Sequence, residues 1–110
     1  MSAALQTPTV IDLAVLNNPL LVGRDYGGRC RSQFDLDLQD EMPGPVEILI
    51  PESTYSISNS FFLGMFAKSI RAAGNHERFF AKYQFTANIQ LRGVIEAGVV
   101  RTLLELRFAR

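Results

Sequence analysis

Cysteine and histidine are scarce in this chain, which has one residue of each type, Cys30 and His76. A lone cysteine cannot form an internal disulfide, and these two residues are too few to ligate a structural zinc ion. The chain starts without the basic segment and apolar run of a secretory leader, and no apolar run is long enough to cross a bilayer. We therefore expect a cytoplasmic protein that has no metal, no cofactor and no membrane association.

Charge of one sign is also lacking, because 11 basic side chains balance 11 acidic ones. A chain with no net charge has no overall field to attract nucleic acid or an anionic membrane surface, so we expect neither as a partner. Hydrophobic residues make up 47% of the sequence, which is typical of a folded globular protein. At 110 residues, the chain is expected to form a single domain over residues 1–110, with its core at about 9–107.

Three apolar segments have the composition of β-strands. The first covers residues 9–16 and ends before Asn17, Asn18 and Pro19. The second, at residues 46–50, ends where Pro51 removes a backbone donor, and we expect it to be a central strand. The third covers residues 83–87, where aromatic residues alternate with small or polar ones.

Three segments with helical spacing alternate with these strands. After a cap at Asp25, the first has apolar residues at every fourth position: Tyr26, Cys30, Phe34 and Leu38. The second segment places Phe62, Phe66 and Ile70 on one face and stops at Gly74 and Asn75. The third segment, residues 91–107, has an apolar stripe of Ile95, Val99, Leu103 and Leu106. This order predicts an α/β fold with a small mixed or mostly parallel sheet of about four strands and helices packed on it.

Few residues could support catalysis, and we predict that the chain is not an enzyme and has no catalytic residues. A nucleophile at Cys30 or near Ser60 would have to use His76 as its base. The spacing of Cys30 favours a core position, and His76 follows an apparent turn, where a solvated side chain is expected. The glycines between Gly23 and Gly28 lack the following Lys-Ser or Lys-Thr of a phosphate loop, so a turn and a helix start explain them better.

Basic residues cluster near these glycines, at Arg24, Arg29 and Arg31, and again at Lys68 and Arg71. They could form a basic patch. Acidic residues occur in the same stretch, however: Asp25, Asp35, Asp37, Asp40 and Glu41. A solvated face of mixed charge is therefore the favoured interpretation.

Ser58, Asn59 and Ser60 directly precede the second helical pattern. A serine at this position has two alternative roles. As an N-cap, its oxygen accepts a backbone N–H and adds about 1 kcal/mol of stability. As a phosphorylation site, it would place a phosphate against exposed N–H groups at the positive end of the helix dipole. The residues alone favour capping and leave both roles open.

Three segments follow one another along the chain: Val-Gly-Arg-Asp-Tyr-Gly-Gly-Arg at residues 22–29, the strand at 46–50, and Ser-Ile-Ser-Asn-Ser-Phe at 56–61, which opens a helix. In this order they resemble the STAS-like domains related to anti-sigma-factor antagonists. With the segment from Phe79 to Ile89 and the last helix, the resemblance covers residues 9–107. It implies a bacterial-type regulatory module for protein–protein interaction, without catalytic machinery.

The resemblance also implies a switch at Ser60, which matches by position the serine that is phosphorylated in that group. The partner would be a serine kinase of the histidine-kinase-like ATPase fold or another regulatory protein. Phosphate at Ser60 would release that partner or change the choice of partner. The docking face would be an exposed surface around the helix start: Tyr55, Ile57, Ser58, Asn59 and Phe61.

An alternative is a constitutive structural subunit that homodimerises or joins a larger complex through Phe61, Phe62 and Phe66. STAS-like relatives have acidic residues at the positions of Ile50 and of Leu63 and Gly64, and here only Glu52 is a nearby acid. Apolar residues at those positions could bury more surface in the core or in an interface. The identity of the partner and the oligomeric state are open at this stage.

Overall fold

Five strands and five helices make up residues 9–108, which are the residues that the computed structural model describes. The elements are, in chain order, β1 (Thr9–Asp12), β2 (Leu20–Leu21), α1 (Arg24–Gln33), α2 (Leu36–Glu41), β3 (Val46–Leu49), β4 (Ser56–Ile57), α3 (Asn59–Ala73), α4 (His76–Lys82), β5 (Tyr83–Thr86) and α5 (Ile89–Phe108). A 3-10 helix, Leu13–Leu16, follows β1.

The strands form two separate parallel sheets. In the larger sheet β3 lies between β1 and β5, and Ile48 is paired with Ile11 on one side and with Phe85 on the other. The smaller sheet pairs β2 with β4. The expectation of an α/β fold with a small, mixed or mostly parallel sheet is therefore confirmed, and the strand expected at 46–50 is the central strand β3 of a sheet of three strands, where about four were expected. The division of the strands into a set of three and a set of two was not predicted.

The core lies between one face of the larger sheet and the helices. Burial alternates along the strands: Ile11, Val46, Ile48 and Tyr83 are buried, whereas Val10 and Asp12 are exposed. Helix α3 lies between α1 and α5 and also packs against α4. The ring centroid of Phe66 lies 5.2–6.0 Å from those of four other aromatic residues, Phe62, Phe79, Tyr83 and Phe85. The predicted shared face of Phe62, Phe66 and Ile70 is thus confirmed as core.

Two predicted elements are shorter than expected. The first strand ends at Asp12, because a carboxylate oxygen of Asp12 accepts a hydrogen bond from the Ala14 N–H at 2.9 Å and turns the chain into the 3-10 helix. The first helix ends at Gln33, because Asp35 has a left-handed backbone with φ of 53°. Leu36 is consequently buried, and Leu38, which was expected on the buried stripe, is exposed. Asp25 lies in the first turn of α1, and the N-cap residue is Gly23.

The ends of the later helices follow local signals that the sequence contains. Gly74 ends α3 in a left-handed conformation with φ of 83°, as predicted. Asn75 is the N-cap residue of α4, and its side-chain oxygen accepts from the Arg78 N–H at 2.8 Å. Asn88 precedes α5 and accepts from the Leu91 N–H at 2.9 Å. Along α5, Thr102 is buried in place of the predicted Leu106, which is exposed.

Candidate functional site

Helices α1 and α3 begin side by side because the short strands before them are paired. Leu20 is in register with Ser56, and Leu21 with Ile57, so β2 and β4 bring the chain into the two helices in parallel. The N-cap residues of the helices are also joined, because the Ser58 hydroxyl oxygen accepts from the Gly23 N–H at 3.2 Å. The positive ends of two helix dipoles therefore lie next to each other.

The serines at the start of α3 have different surroundings. The Ser58 hydroxyl oxygen accepts from the Phe61 N–H at 3.0 Å, so Ser58 is the N-cap of the helix. Ser60 is the second residue of α3 and is exposed. Within residues 9–108, no side-chain hydrogen bond involves its hydroxyl. The capping role thus belongs to Ser58, and the Ser60 hydroxyl is accessible from solvent.

The residues that were expected to form a docking face do not share one surface. Tyr55 is 83% exposed, and Ser58 and Asn59 are half-buried. Ile57 and Phe61 are only 5% and 2% exposed, so their expected exposure is wrong. Phe61 is buried because it packs between α1 and α3, where its ring meets that of Tyr26 edge-on at 5.2 Å. Ile57 belongs to the hydrophobic core beneath β4.

The surface of Phe61, Phe62 and Phe66, which was expected to mediate homodimerisation, is not available either. All three side chains are 2% exposed because they lie where α3 contacts its neighbouring elements. An apolar groove of about 740 Å³ lies nearby instead, between the start of α3 and α5. Ile57 and Asn59 line it on one side, and the other side is lined by residues of α5: Val94, Glu96, Ala97, Val100, Arg101 and Leu104.

Two glycines allow α1 and α3 to approach at backbone distance. A Cβ atom at Gly27 would lie 2.1 Å from the carbonyl oxygen of Phe61, and one at Gly64 would lie 2.2 Å from that of Arg24. Neither position has room for a side chain. Gly27 therefore serves helix packing, which differs from the turn or helix start that the sequence suggested for these glycines.

A buried polar network connects four elements, and sequence reasoning missed it. Arg31 is 7% exposed and donates to the Met65 carbonyl oxygen at 2.8 Å and to the Ser69 hydroxyl at 2.9 Å. Its guanidinium also contacts Asp40 at 2.6 Å. The Asp40 carboxylate accepts hydrogen bonds from Ser69 at 2.7 Å and from the Tyr83 hydroxyl at 2.5 Å. No local pattern marks Arg31 as an interior residue.

The pKa values of two side chains are shifted: Tyr83, which belongs to this network, and Asp37, an exposed carboxylate that contacts Arg31. Burial raises the pKa of the Tyr83 phenol, and the hydrogen bond to Asp40 raises it further, so Tyr83 is neutral at physiological pH. The hydrogen bond from Arg31 is the main cause that lowers the pKa of Asp37, with the charges of Arg31 and Lys68 adding to it. Both shifts are consistent with a structural role of the network.

Cys30 and His76 lie in different environments. Cys30 is buried in the core, and desolvation raises the pKa of its thiol, which disfavours the nucleophilic thiolate. His76 is exposed at the start of α4, where its Nε2 lies 2.9 Å from a Glu96 carboxylate oxygen and its ring packs on Phe80. Their positions match the expectations of a core thiol and a solvated imidazole.

Residues 9–108 contain no group of three or more histidine, cysteine, aspartate or glutamate side chains that could hold a metal ion. None of the helices in this range combines the length and the apolar character needed to span a bilayer.

Comparisons with known proteins were made at the level of family models, curated proteins and solved structures. None of the three finds a match for this chain. The resemblance to STAS-like domains therefore depends on the sequence segments alone and stays a prediction.

Proposed function

We propose that this chain is a regulatory protein-interaction module of the STAS-like kind, in which phosphorylation of Ser60 changes the binding of a protein partner. The observation that carries this proposal is the position of Ser60: it is exposed in the first turn of the 15-residue helix α3, while Ser58 already caps that helix. A cytoplasmic location, a partner serine kinase of the histidine-kinase-like ATPase fold, and the absence of enzymatic activity belong to the same proposal.

The electrostatics of the helix starts favour a phosphate at this position. A phosphoserine carries a charge of about −1.5 to −2 at neutral pH. A negative charge near the N-terminus of one helix is stabilised by about 0.3–1 kcal/mol, and here the start of α1 is joined to the start of α3 through Gly23 and Ser58. The phosphate would thus be accepted by the fold and would change the charge of the exposed surface at the start of α3.

The apolar groove beside α5 favours a second candidate function, a constitutive subunit of a protein complex. Val100 and Leu104 on its wall are about half exposed. A groove of this kind can bury apolar surface in an interface whether or not Ser60 carries phosphate. The two functions differ in their dependence on Ser60.

Affinity purification of the tagged protein from its native host tests the proposal. Partner capture is compared among the native chain, Ser60→Ala, Ser60→Asp and the control Ser53→Asp, which adds the same charge in the exposed loop before β4. Mass spectrometry of the Ser60 peptide is read in parallel. We expect a phosphorylated fraction at Ser60, an ATPase-fold kinase among the partners, and capture that changes about tenfold in Ser60→Asp alone.

A different outcome would favour the constitutive subunit. Unmodified Ser60, together with equal capture by the native chain and Ser60→Asp, would refute the switch. Loss of that same capture in Leu104→Glu, which places a charge in the apolar groove, would then locate the constitutive interface.

A further inference from the structure

A crevice between α1 and α3 contains four cationic side chains on its walls. Arg24 and Arg29 contribute from α1, and Lys68 and Arg71 contribute from α3. All four residues are exposed. Asp25 is the one carboxylate among the described residues that line the crevice, whose volume is about 590 Å³. A chain with no net charge therefore concentrates positive charge at one place on its surface.

Two of the acidic residues that were expected to dilute this charge, Asp37 and Asp40, are paired with Arg31, whereas Asp25 lines the crevice. The side chain of Asp40 points inward and its carboxylate contacts the Arg31 guanidinium at 2.6 Å, so neither charge contributes to the crevice surface. Asp37 is exposed, but its carboxylate is shared between Arg31 at 2.8 Å and Lys68 at 3.6 Å. The expectation of a face of mixed charge therefore holds only in part at the crevice, where Asp25 remains in the lining and Asp37 contacts Lys68, but four cations outnumber these acids.

The crevice is an open channel with a floor of small residues. Its lining extends from residue 24 to 32 on α1 and from 63 to 71 on α3, which corresponds to about 12 Å along each helix. Gly28 and Gly64 contribute no side chain to the floor. The guanidinium of Arg29 lies over the Tyr26 ring, 5.4 Å from its centroid, which restrains that side chain before any ligand arrives.

The distribution of the cations favours an elongated ligand over a compact one. Positive groups stand on both walls along about 12 Å, the length of roughly four residues of extended peptide. A compact phosphate is usually held by free backbone N–H groups of a glycine-rich loop. Here residues 24–28 are helical instead, and the Gly27 N–H donates to the Gly23 carbonyl oxygen at 3.1 Å.

We propose that the crevice binds an extended acidic segment of the protein partner. Carboxylates spaced along such a segment would pair with Arg24, Arg29, Lys68 and Arg71, and its backbone would lie over Gly28 and Gly64. This inference rests on the proposed function, since it specifies the chemistry of the partner. It does not require phosphate at Ser60, which gives the two proposals separate tests.

Fluorescence anisotropy with a labelled octapeptide of alternating glutamate and aspartate tests the inference on the unmodified full chain. The double variant Arg24→Gln/Arg71→Gln is compared with Arg78→Gln/Arg107→Gln, which removes the same charge from exposed residues outside the crevice. We expect salt-sensitive binding that is weakened at least about tenfold by the first pair and unchanged by the second.

Gly28→Leu provides a second test that leaves every charge in place. A Cβ atom at Gly28 would meet nothing within 4 Å, so leucine can enter the crevice without disturbing the core. We expect the octapeptide to lose at least about tenfold in affinity while the thermal midpoint does not fall.

The inference would be overturned by no binding of the octapeptide, by equal weakening in both arginine pairs, or by full affinity in Gly28→Leu. Tighter binding of a single-stranded oligonucleotide or of inorganic triphosphate than of the octapeptide would also overturn it, because it would assign the cations to phosphate. None of these results bears on the Ser60 switch, whose failure would appear as equal partner capture by the native chain and Ser60→Asp.

Discussion

Substituting alanine for Gly27 should force apart the two helix backbones that carry the candidate site, whereas the same substitution at Gly28 should not. The added Cβ atom at Gly27 would lie 2.1 Å from the Phe61 carbonyl oxygen and 3.0 Å from the Met65 nitrogen. Both atoms are backbone, so no rotamer change can relieve the contact. At Gly28, one residue further along α1, a Cβ atom meets nothing within 4 Å.

The expected magnitudes follow from two opposing effects. Alanine in place of a helical glycine stabilises by about 0.5–1 kcal/mol in both variants. Overpacking typically destabilises by about 1–3 kcal/mol, and the upper end applies to Gly27 because whole helices must move. We therefore expect Gly27→Ala to lose about 2 kcal/mol net and to melt about 10 °C lower. Gly28→Ala should gain about 0.5–1 kcal/mol and melt a few degrees higher.

Urea unfolding followed by circular dichroism, together with thermal melting, measures both variants against the native chain. Gly64→Ala should behave like Gly27→Ala, since its Cβ atom would lie 2.2 Å from the Arg24 carbonyl oxygen. The double variant Gly27→Ala/Gly64→Ala should lose less than the sum of its parts, because one separation of the helices relieves both contacts. Equal unfolding free energies for Gly27→Ala and Gly28→Ala would refute the close approach of α1 and α3.

Two further predictions concern buried polar groups. Thr102 is 2% exposed and its hydroxyl has no hydrogen-bond partner within residues 9–108, so Thr102→Val should raise the free energy of unfolding by about 1 kcal/mol in urea titrations. Thr102→Ser keeps the hydroxyl and should lower the free energy of unfolding. A lower free energy of unfolding in Thr102→Val would contradict the absence of a hydrogen-bond partner for the Thr102 hydroxyl. The pKa of Tyr83 in the folded chain lies above its ordinary value of 10.0. The contribution of Tyr83 to stability should therefore be fully present below pH 10 and should be lost as the pH rises above it, because the unfolded chain loses the phenol proton at a lower pH than the folded chain. The free energy of unfolding, measured from pH 9 to 11, should show this loss in the native chain and not in Tyr83→Phe. An equal dependence on pH in the two proteins would argue against the raised pKa.

Local signals account for the parts of the fold that were predicted correctly. Pro51 stops β3, Gly74 ends α3, and Asn88 begins α5, because each of these residues acts on the backbone within a few positions of itself. The burial of Phe62, Phe66 and Ile70 follows from helical spacing. β2 and β4 have two residues each, which is too short for a period to be recognised, so their pairing was not predicted.

The candidate site was predicted only in part, because its residues are distant in sequence. Ser58, Ser60 and Tyr55 could be located near a helix start from local signals. The sequence left open which residue of this segment caps α3, and it could not show that the Ser58 hydroxyl also accepts from Gly23, which is 35 residues away. It also could not show that Ile57 and Phe61 are buried, because α1 covers Phe61 only once the two helices pack.

By itself, the sequence determined the class of fold, the approximate ends of β3, α3, β5 and α5, and the aromatic centre of the core. These depend on hydrophobic period and on the backbone preferences of proline, glycine and asparagine, which act locally. Only the tertiary structure decided which charges remain at the surface. Arg31 leaves it because Met65, Ser69, Asp37 and Asp40 together satisfy its donors, and a buried guanidinium is stable only with such partners. Those partners meet only after three helices have packed, and the basic crevice between α1 and α3 is what remains exposed.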